Sequence, residues 1–117
     1  MKKQYLINVL SEDDLQVIAR VQYNNNLDYW DGRNFQNGGL GLHKGLTKLK
    51  DGRYVIIKTS QWEGYKDKAY VISPHMALQE ILKSYNHYLL DFKKFKELKD
   101  LYKNSGLEEM EADDAEV

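Results

Sequence analysis

The chain has 117 residues, the length of one ordinary domain, and is 42% hydrophobic and 30% charged, with a mean hydropathy of -0.69. It contains no cysteine, so disulfides and thiolate metal ligands are excluded and a reducing, cytoplasmic environment is expected. No stretch approaches the roughly 18 consecutive apolar residues of a membrane span, and the apolar run near the start is too short for a signal peptide.

The net charge of -1 conceals an uneven distribution along the chain. Residues 108–117 hold six of the 18 acidic residues and no base, which leaves 12 acids against 17 bases elsewhere. This pattern predicts a single, mildly basic domain over residues 1–106 and an acidic, disordered tail over residues 107–117. A tail that folds back on a basic groove, or that imitates nucleic-acid phosphates, is the functional alternative.

The first part of the chain reads as strands. Residues 4–10 are rich in aromatic and β-branched types, which suit a strand. Residues 11–22 are open to two interpretations, a helix capped by Ser11 or a hairpin turn followed by a strand with alternating apolar residues. The alternation favours the hairpin.

Three further strands are predicted, over residues 42–50, 54–59 and 69–72. The first two flank Asp51-Gly52, and this dipeptide is a strong signal for a hairpin turn because its backbone tolerates positive φ. Short connections between the predicted strands favour an antiparallel meander.

Helical periodicity begins at Ser73-Pro74, where Ser73 can cap a helix whose first position is proline. A second helix is predicted over residues 89–103. Asn104-Ser105-Gly106 terminates it, with Gly106 available as the C-terminal cap. The predicted fold class is α+β, with an N-terminal antiparallel sheet of four or five strands followed by two C-terminal α-helices packed on it.

The chain's most distinctive stretch is residues 29–45, which holds five of the eight glycines beside aromatic and cationic residues. A second loop, residues 60–68, repeats this composition, and a meander would place both loops at one end of the sheet. Aromatic rings can stack on a base, and an arginine fork can bind a phosphate. The predicted ligand-binding residues are Trp30, Arg33, Asn34, His43, Lys44, Trp62 and Lys66. The alternative is a long hairpin connection whose aromatic residues belong to the core.

Catalysis and metal binding are not expected. The three histidines fall on separate elements, without the clustering of a zinc site, and no cofactor motif is present. A small hydrolase using His43 with Ser60 is the third functional possibility, although the strand-turn-helix setting of a nucleophilic serine is missing. The lysines of the second helix alternate with Glu97 and Asp100, so direct nucleic-acid binding is not favoured.

In size and composition, with no cysteine, many Lys, Asn and Tyr residues and an acidic end, the chain resembles small accessory proteins of bacteriophages and mobile elements. Some of those are anti-defence proteins that sequester a nucleotide signal or block a nuclease. The resemblance implies a small, non-catalytic intracellular protein that sequesters a nucleotide-like anion in its loop pocket. The alternative is an inhibitor that contacts a nucleic-acid-binding host protein through its aromatic loops or acidic tail. The sequence permits a homo-oligomer.

Overall fold

Alternating apolar residues build a sheet from the first 72 residues, and helical periodicity takes over after Ser73. The computed structural model describes residues 6–30, 35–37, 42–60 and 67–107. The strands in this part of the chain are β1 (Leu6–Leu10), β2 (Val17–Gln22), β3 (Tyr29–Trp30), β4 (Phe35–Asn37), β5 (Leu42–Lys48), β6 (Tyr54–Ser60) and β7 (Lys68–Ile72). The helices are α1 (Pro74–Lys83) and α2 (Lys96–Ser105).

The main sheet has five strands in the order β2-β1-β7-β6-β5, while β3 and β4 form a separate antiparallel pair. The predicted α+β fold class is confirmed, and residues 11–22 form the hairpin. Within the sheet, β5, β6 and β7 form an antiparallel meander with its first turn at Gly52, whose φ is 98°. One neighbouring pair departs from the predicted pattern, because β1 and β7 run parallel. This pairing joins two distant parts of the chain, so local turn signals cannot reveal it.

The two helices follow the sheet, as predicted. Ser73 caps α1 by accepting a hydrogen bond from the Met76 amide at 3.1 Å, and Gly106 ends α2 with a φ of 78°. The second α-helix begins later than predicted, because two short 3-10 turns precede it and Phe92 between them is extended. No helix of the described residues is long and apolar enough to cross a membrane.

Both faces of the sheet carry buried side chains. On one face, Tyr54 and Ile56 of β6 pack with the apolar residues of both helices. On the other face, Val55 and Ile57 pack with apolar residues of β1, β2 and β7. Successive side chains of β6 therefore enter two cores on opposite faces, which explains why its first four residues are all apolar and buried.

The sheet is rolled so that its two edge strands approach each other. In a flat sheet, four spacings of about 4.8 Å would separate β2 from β5 by about 19 Å. Asn24, only two residues beyond the end of β2, nevertheless lies against Gly45 of β5, where a Cβ atom would clash with both its side chain and its backbone. Since two residues span at most about 7 Å, this contact requires strong curvature of the sheet.

The edge segment, residues 24–28, lies along the free edge of β5. The Asn26 side chain accepts a hydrogen bond from the Leu46 amide at 2.8 Å and donates to the Leu46 carbonyl at 2.9 Å. The Leu27 amide donates to the Lys44 carbonyl at 3.0 Å, while its fully buried side chain enters the helix-side core. Side chains and backbone of the edge segment thus satisfy polar groups that an edge strand would otherwise expose.

We expect Asn26→Ala to lower the free energy of unfolding by about 1–3 kcal/mol, because it leaves both polar backbone groups of Leu46 without their partner. Chemical denaturation followed by circular dichroism measures the change. Asn25→Ala is the matched control, since that side chain is exposed. Equal stability of the two variants would show that the bonds from the Asn26 side chain to Leu46 contribute nothing to stability.

A second expectation concerns alkaline pH. Tyr54 is 1% exposed and its hydroxyl donates to Glu97 Oε1 at 2.8 Å. Burial raises the pKa of Tyr54, and the bond to the Glu97 carboxylate raises it further. Because the folded-state pKa exceeds the unfolded value of about 10, this stabilisation is complete below pH 10 and is lost as the pH rises towards the folded value.

The free energy of unfolding should therefore fall above about pH 10, and Tyr54→Phe should make that fall shallower. Denaturation curves at several alkaline pH values measure it. Part of the slope should persist, because burial also raises the pKa of Tyr23. Tyr88→Phe, at a residue that is 55% exposed, controls for loss of a surface hydroxyl. An unchanged slope in Tyr54→Phe would contradict the assignment.

Candidate functional site

The two glycine-rich and aromatic loops are attached to the sheet at neighbouring positions. Leu42, which begins β5, pairs directly with Ser60, which ends β6. The chain enters β5 from one loop and leaves β6 into the other, so both loops meet the sheet at the same end, as the meander predicted. We call this end of the sheet the loop end. It contains His43 and Lys44 of β5, the cross-strand Thr59 and the adjacent Asp28.

Asp28 is the organising side chain of the loop end. Its Oδ2 atom lies 2.7 Å from Nδ1 of His43, and its Oδ1 atom accepts the backbone amide of Lys44 at 2.9 Å. Its carbonyl accepts a hydrogen bond from the Asn86 side chain at 3.1 Å, which links the edge segment to the end of α1. A carboxylate only accepts, so Nδ1 of His43 carries the proton and Nε2 is left for other partners.

Tyr23 and Thr59 complete the buried side of the loop end. The Tyr23 ring meets the His43 ring edge-on, with centroids 6.5 Å apart. Burial raises the pKa of Tyr23, and the nearby Asp28 carboxylate also raises it, while the adjacent Thr59 hydroxyl lowers it. Thr59 is only 8% exposed. The imidazole is therefore supported on two sides, by a carboxylate and by an aromatic ring.

Lys44 points to the opposite face of β5 and is already paired. Its Nζ atom lies 3.2 Å from Oε1 of Glu80 on α1, and the Glu80 side chain is 14% exposed. Lys83 also approaches Glu80, at 3.6 Å. Because partly buried ion pairs resist separation, the charge of Lys44 serves the contact between helix and sheet.

The other predicted ligand-binding residues lie on β3 or outside the described residues. Trp30 belongs to β3, where its backbone pairs with Phe35. Four of them, Arg33, Asn34, Trp62 and Lys66, lie outside the described residues, as do residues 108–117 of the predicted acidic tail. Their predicted roles remain predictions.

The geometry also bears on catalysis and metal binding. Directly paired residues of neighbouring strands share a face, so His43 shares its face with Thr59, and Ser60 projects to the opposite one. The arrangement that a hydrolase based on His43 and Ser60 requires is therefore not formed. Within the described ranges, no group of three potential metal ligands occurs, and His75 and His87 belong to α1 and a 3-10 turn.

The pairing of Asp28 with His43 was not predicted from the sequence. The available signal was the spacing of Asn26 and Asp28 around the apolar Leu27, since residues two apart on an extended chain point the same way. Both side chains bond to β5, while Leu27 enters the core. The three successive asparagines, residues 24–26, also indicate a turn, and the turn interpretation took no account of the alternation around Leu27.

Comparisons with known proteins add no relative. No protein-family model matches the chain, and no match was found among characterised proteins or solved structures. Functional inference therefore rests on the residues themselves.

The assignment of the His43 proton gives a spectroscopic prediction. In Asp28→Asn, an amide oxygen can still accept the Lys44 amide, but an NH2 group facing His43 can no longer accept its Nδ1 proton. We expect the neutral imidazole to be protonated at Nδ1 in the original chain and at Nε2 in the variant. Nitrogen-15 NMR of the imidazole distinguishes the two, with His75 as internal control. A neutral His43 protonated only at Nε2 in the original chain would contradict the assignment.

Proposed function

We propose that this is a small, non-catalytic binding protein that holds a nucleotide-like anion at the loop end. The observation that carries the proposal is the direct pairing of Leu42 with Ser60, since it attaches both aromatic loops beside His43. Sequestration of a nucleotide is also the activity that the resemblance to phage-type accessory proteins implies.

His43 supplies the defined contact in this proposal. Asp28 orients the imidazole through Nδ1, and in the imidazolium form both ring nitrogens donate, so Nε2 of that form can donate to a phosphate oxygen. Trp30 and Trp62 stack on the base, and Arg33, Asn34 and Lys66 contribute polar contacts. Lys44 is left out of the phosphate contacts because Glu80 holds its charge.

A binding role suits the site better than a catalytic one. The hydroxyl on the same face as His43 belongs to Thr59, which is 8% exposed and thus inaccessible to a substrate. Ser60 lies on the other face. With no exposed nucleophile beside the imidazole in the described part of the chain, recognition is the function that the arrangement supports.

Calorimetric titration with a panel of cyclic and linear nucleotides tests the proposal. His43→Ala should weaken binding about tenfold or more, the loss of one hydrogen bond to a charged group. His75→Ala, at an exposed position of α1, is the matched control and should leave binding unchanged.

The absence of heat from every nucleotide would overturn the proposal and favour the protein-contact alternative. That alternative has its own structural support, because Tyr88 and Phe92 are 55% and 45% exposed and their rings lie 5.9 Å apart. Exposed aromatic pairs are common anchors of protein interfaces.

A further inference from the structure

A basic groove lies where the rolled sheet remains open, at the end of β5 opposite the loop end. It has a volume of about 390 Å³ and runs between the end of β2 and the turn that follows β5. Its ten lining residues include Arg20, Tyr23, Lys48, Lys50 and Lys94. Four of these are cationic and none is acidic, so the groove concentrates positive potential.

The four cations are available to a ligand. Arg20 donates from Nε to Asn8 at 3.3 Å, and none of the four forms an ion pair with a described residue. Nearby carboxylates have other partners, as Asp51 pairs with Arg53. This contrasts with the loop end, where His43 and Lys44 each meet a carboxylate.

Aromatic rings hold two of the cations in place. Lys48 Nζ lies 5.3 Å from the centre of the Tyr54 ring, and Lys94 Nζ lies 5.2 Å from that of Phe95. The two rings stack with centroids 6.3 Å apart. The aromatic pair thus brings Lys48 and Lys94, from separate elements, to the same groove. Because both side chains are already held in place, less side-chain entropy is lost when a ligand binds.

We infer that this groove binds the phosphodiester backbone of a single-stranded nucleic acid. Cations from β2, from the β5 end and from the helical region line its length, which suits several successive phosphates better than one. Tyr23 adds an aromatic surface to the lining for a sugar or base. The groove and the loop end share Tyr23, whose ring also meets His43, but the four groove cations play no part in the proposed nucleotide site.

An acidic peptide is the competing ligand class, and the edge segment disfavours it. Extended peptides gain much of their affinity by pairing with a free strand edge. Along β5 that edge is occupied from Lys44 to Leu46, where Asn26, Leu27 and Asp28 bond to the backbone, so a peptide could pair only with the short end of the strand beyond Leu46. The groove offers charge, with little strand edge for a peptide backbone.

This inference differs from the sequence-based expectation about the helical lysines. Lys99 pairs with Asp91 at 2.9 Å and does not line the groove, whereas Lys94 does. The other three cations come from the sheet region, so the groove cannot be recognised from the lysines of the second helix alone.

Fluorescence anisotropy of the full chain with a labelled 12-nucleotide single strand, titrated over a range of salt concentrations, tests the inference. Four contacted phosphates at about 0.7 each predict a slope of about -3 in log affinity against log salt. Arg20→Gln and Lys50→Gln should each weaken binding several-fold and reduce the slope by about 0.7. Lys103→Gln, an exposed lysine outside the groove, should do neither.

The comparison with a peptide settles the ligand class. A labelled peptide of residues 108–117 carries six acids and is the charge-rich competitor. Tighter binding of this peptide than of the oligonucleotide, or oligonucleotide affinity insensitive to both groove variants, would overturn the inference. Nucleotide binding at the loop end should be unaffected by Lys50→Gln, so failure of one proposal leaves the other standing.

Discussion

The hydrogen bonds between the Asn26 side chain and the Leu46 backbone hold the two edges of the sheet together. A five-stranded sheet has two exposed edges, and a rolled one must either pair them directly or cover them. Here the edge segment covers β5 with a carboxamide, a carboxylate and one main-chain bond. The contact at Gly45 permits this approach because no Cβ stands in the way. Both cores depend on this closure of the edge, since Leu27 is buried in one core and Tyr23 packs against the other.

The edge segment covers only one end of β5, and the basic residues at the two ends of the strand therefore have different surroundings. At the loop end, Asp28 contacts His43 and Glu80 contacts Lys44, so both basic residues of that end stabilise the fold. Beyond Leu46 the edge segment no longer covers the strand, and Arg20, Lys48, Lys50 and Lys94 surround an open groove. Charge that is paired stabilises the fold, whereas the groove cations, which form no ion pair with a described residue, can meet a ligand.

The strands and helix ends could be predicted because their signals are local. Asp51-Gly52 requires positive φ, Ser73-Pro74 fits the first turn of a helix, and Gly106 fits a left-handed cap. The start of α2 was misplaced because Phe92 interrupts the helical region with extended backbone, although the apolar spacing continues through it. The parallel pairing of β1 with β7 has no local signal, since about sixty residues of chain separate the partners.

The sequence by itself determined the fold class, the position of the glycine-rich loops and the uneven distribution of charge. Periodicity, turn residues and composition encode these properties within a few neighbouring residues. Only the tertiary structure decided which charges are paired, because His43 and Asp28 are 15 residues apart and Lys44 and Glu80 are 36 apart. The groove cations likewise come from separate elements and lie together only in the folded chain. Electrostatic pairing depends on distance in space, and the roll of the sheet sets that distance.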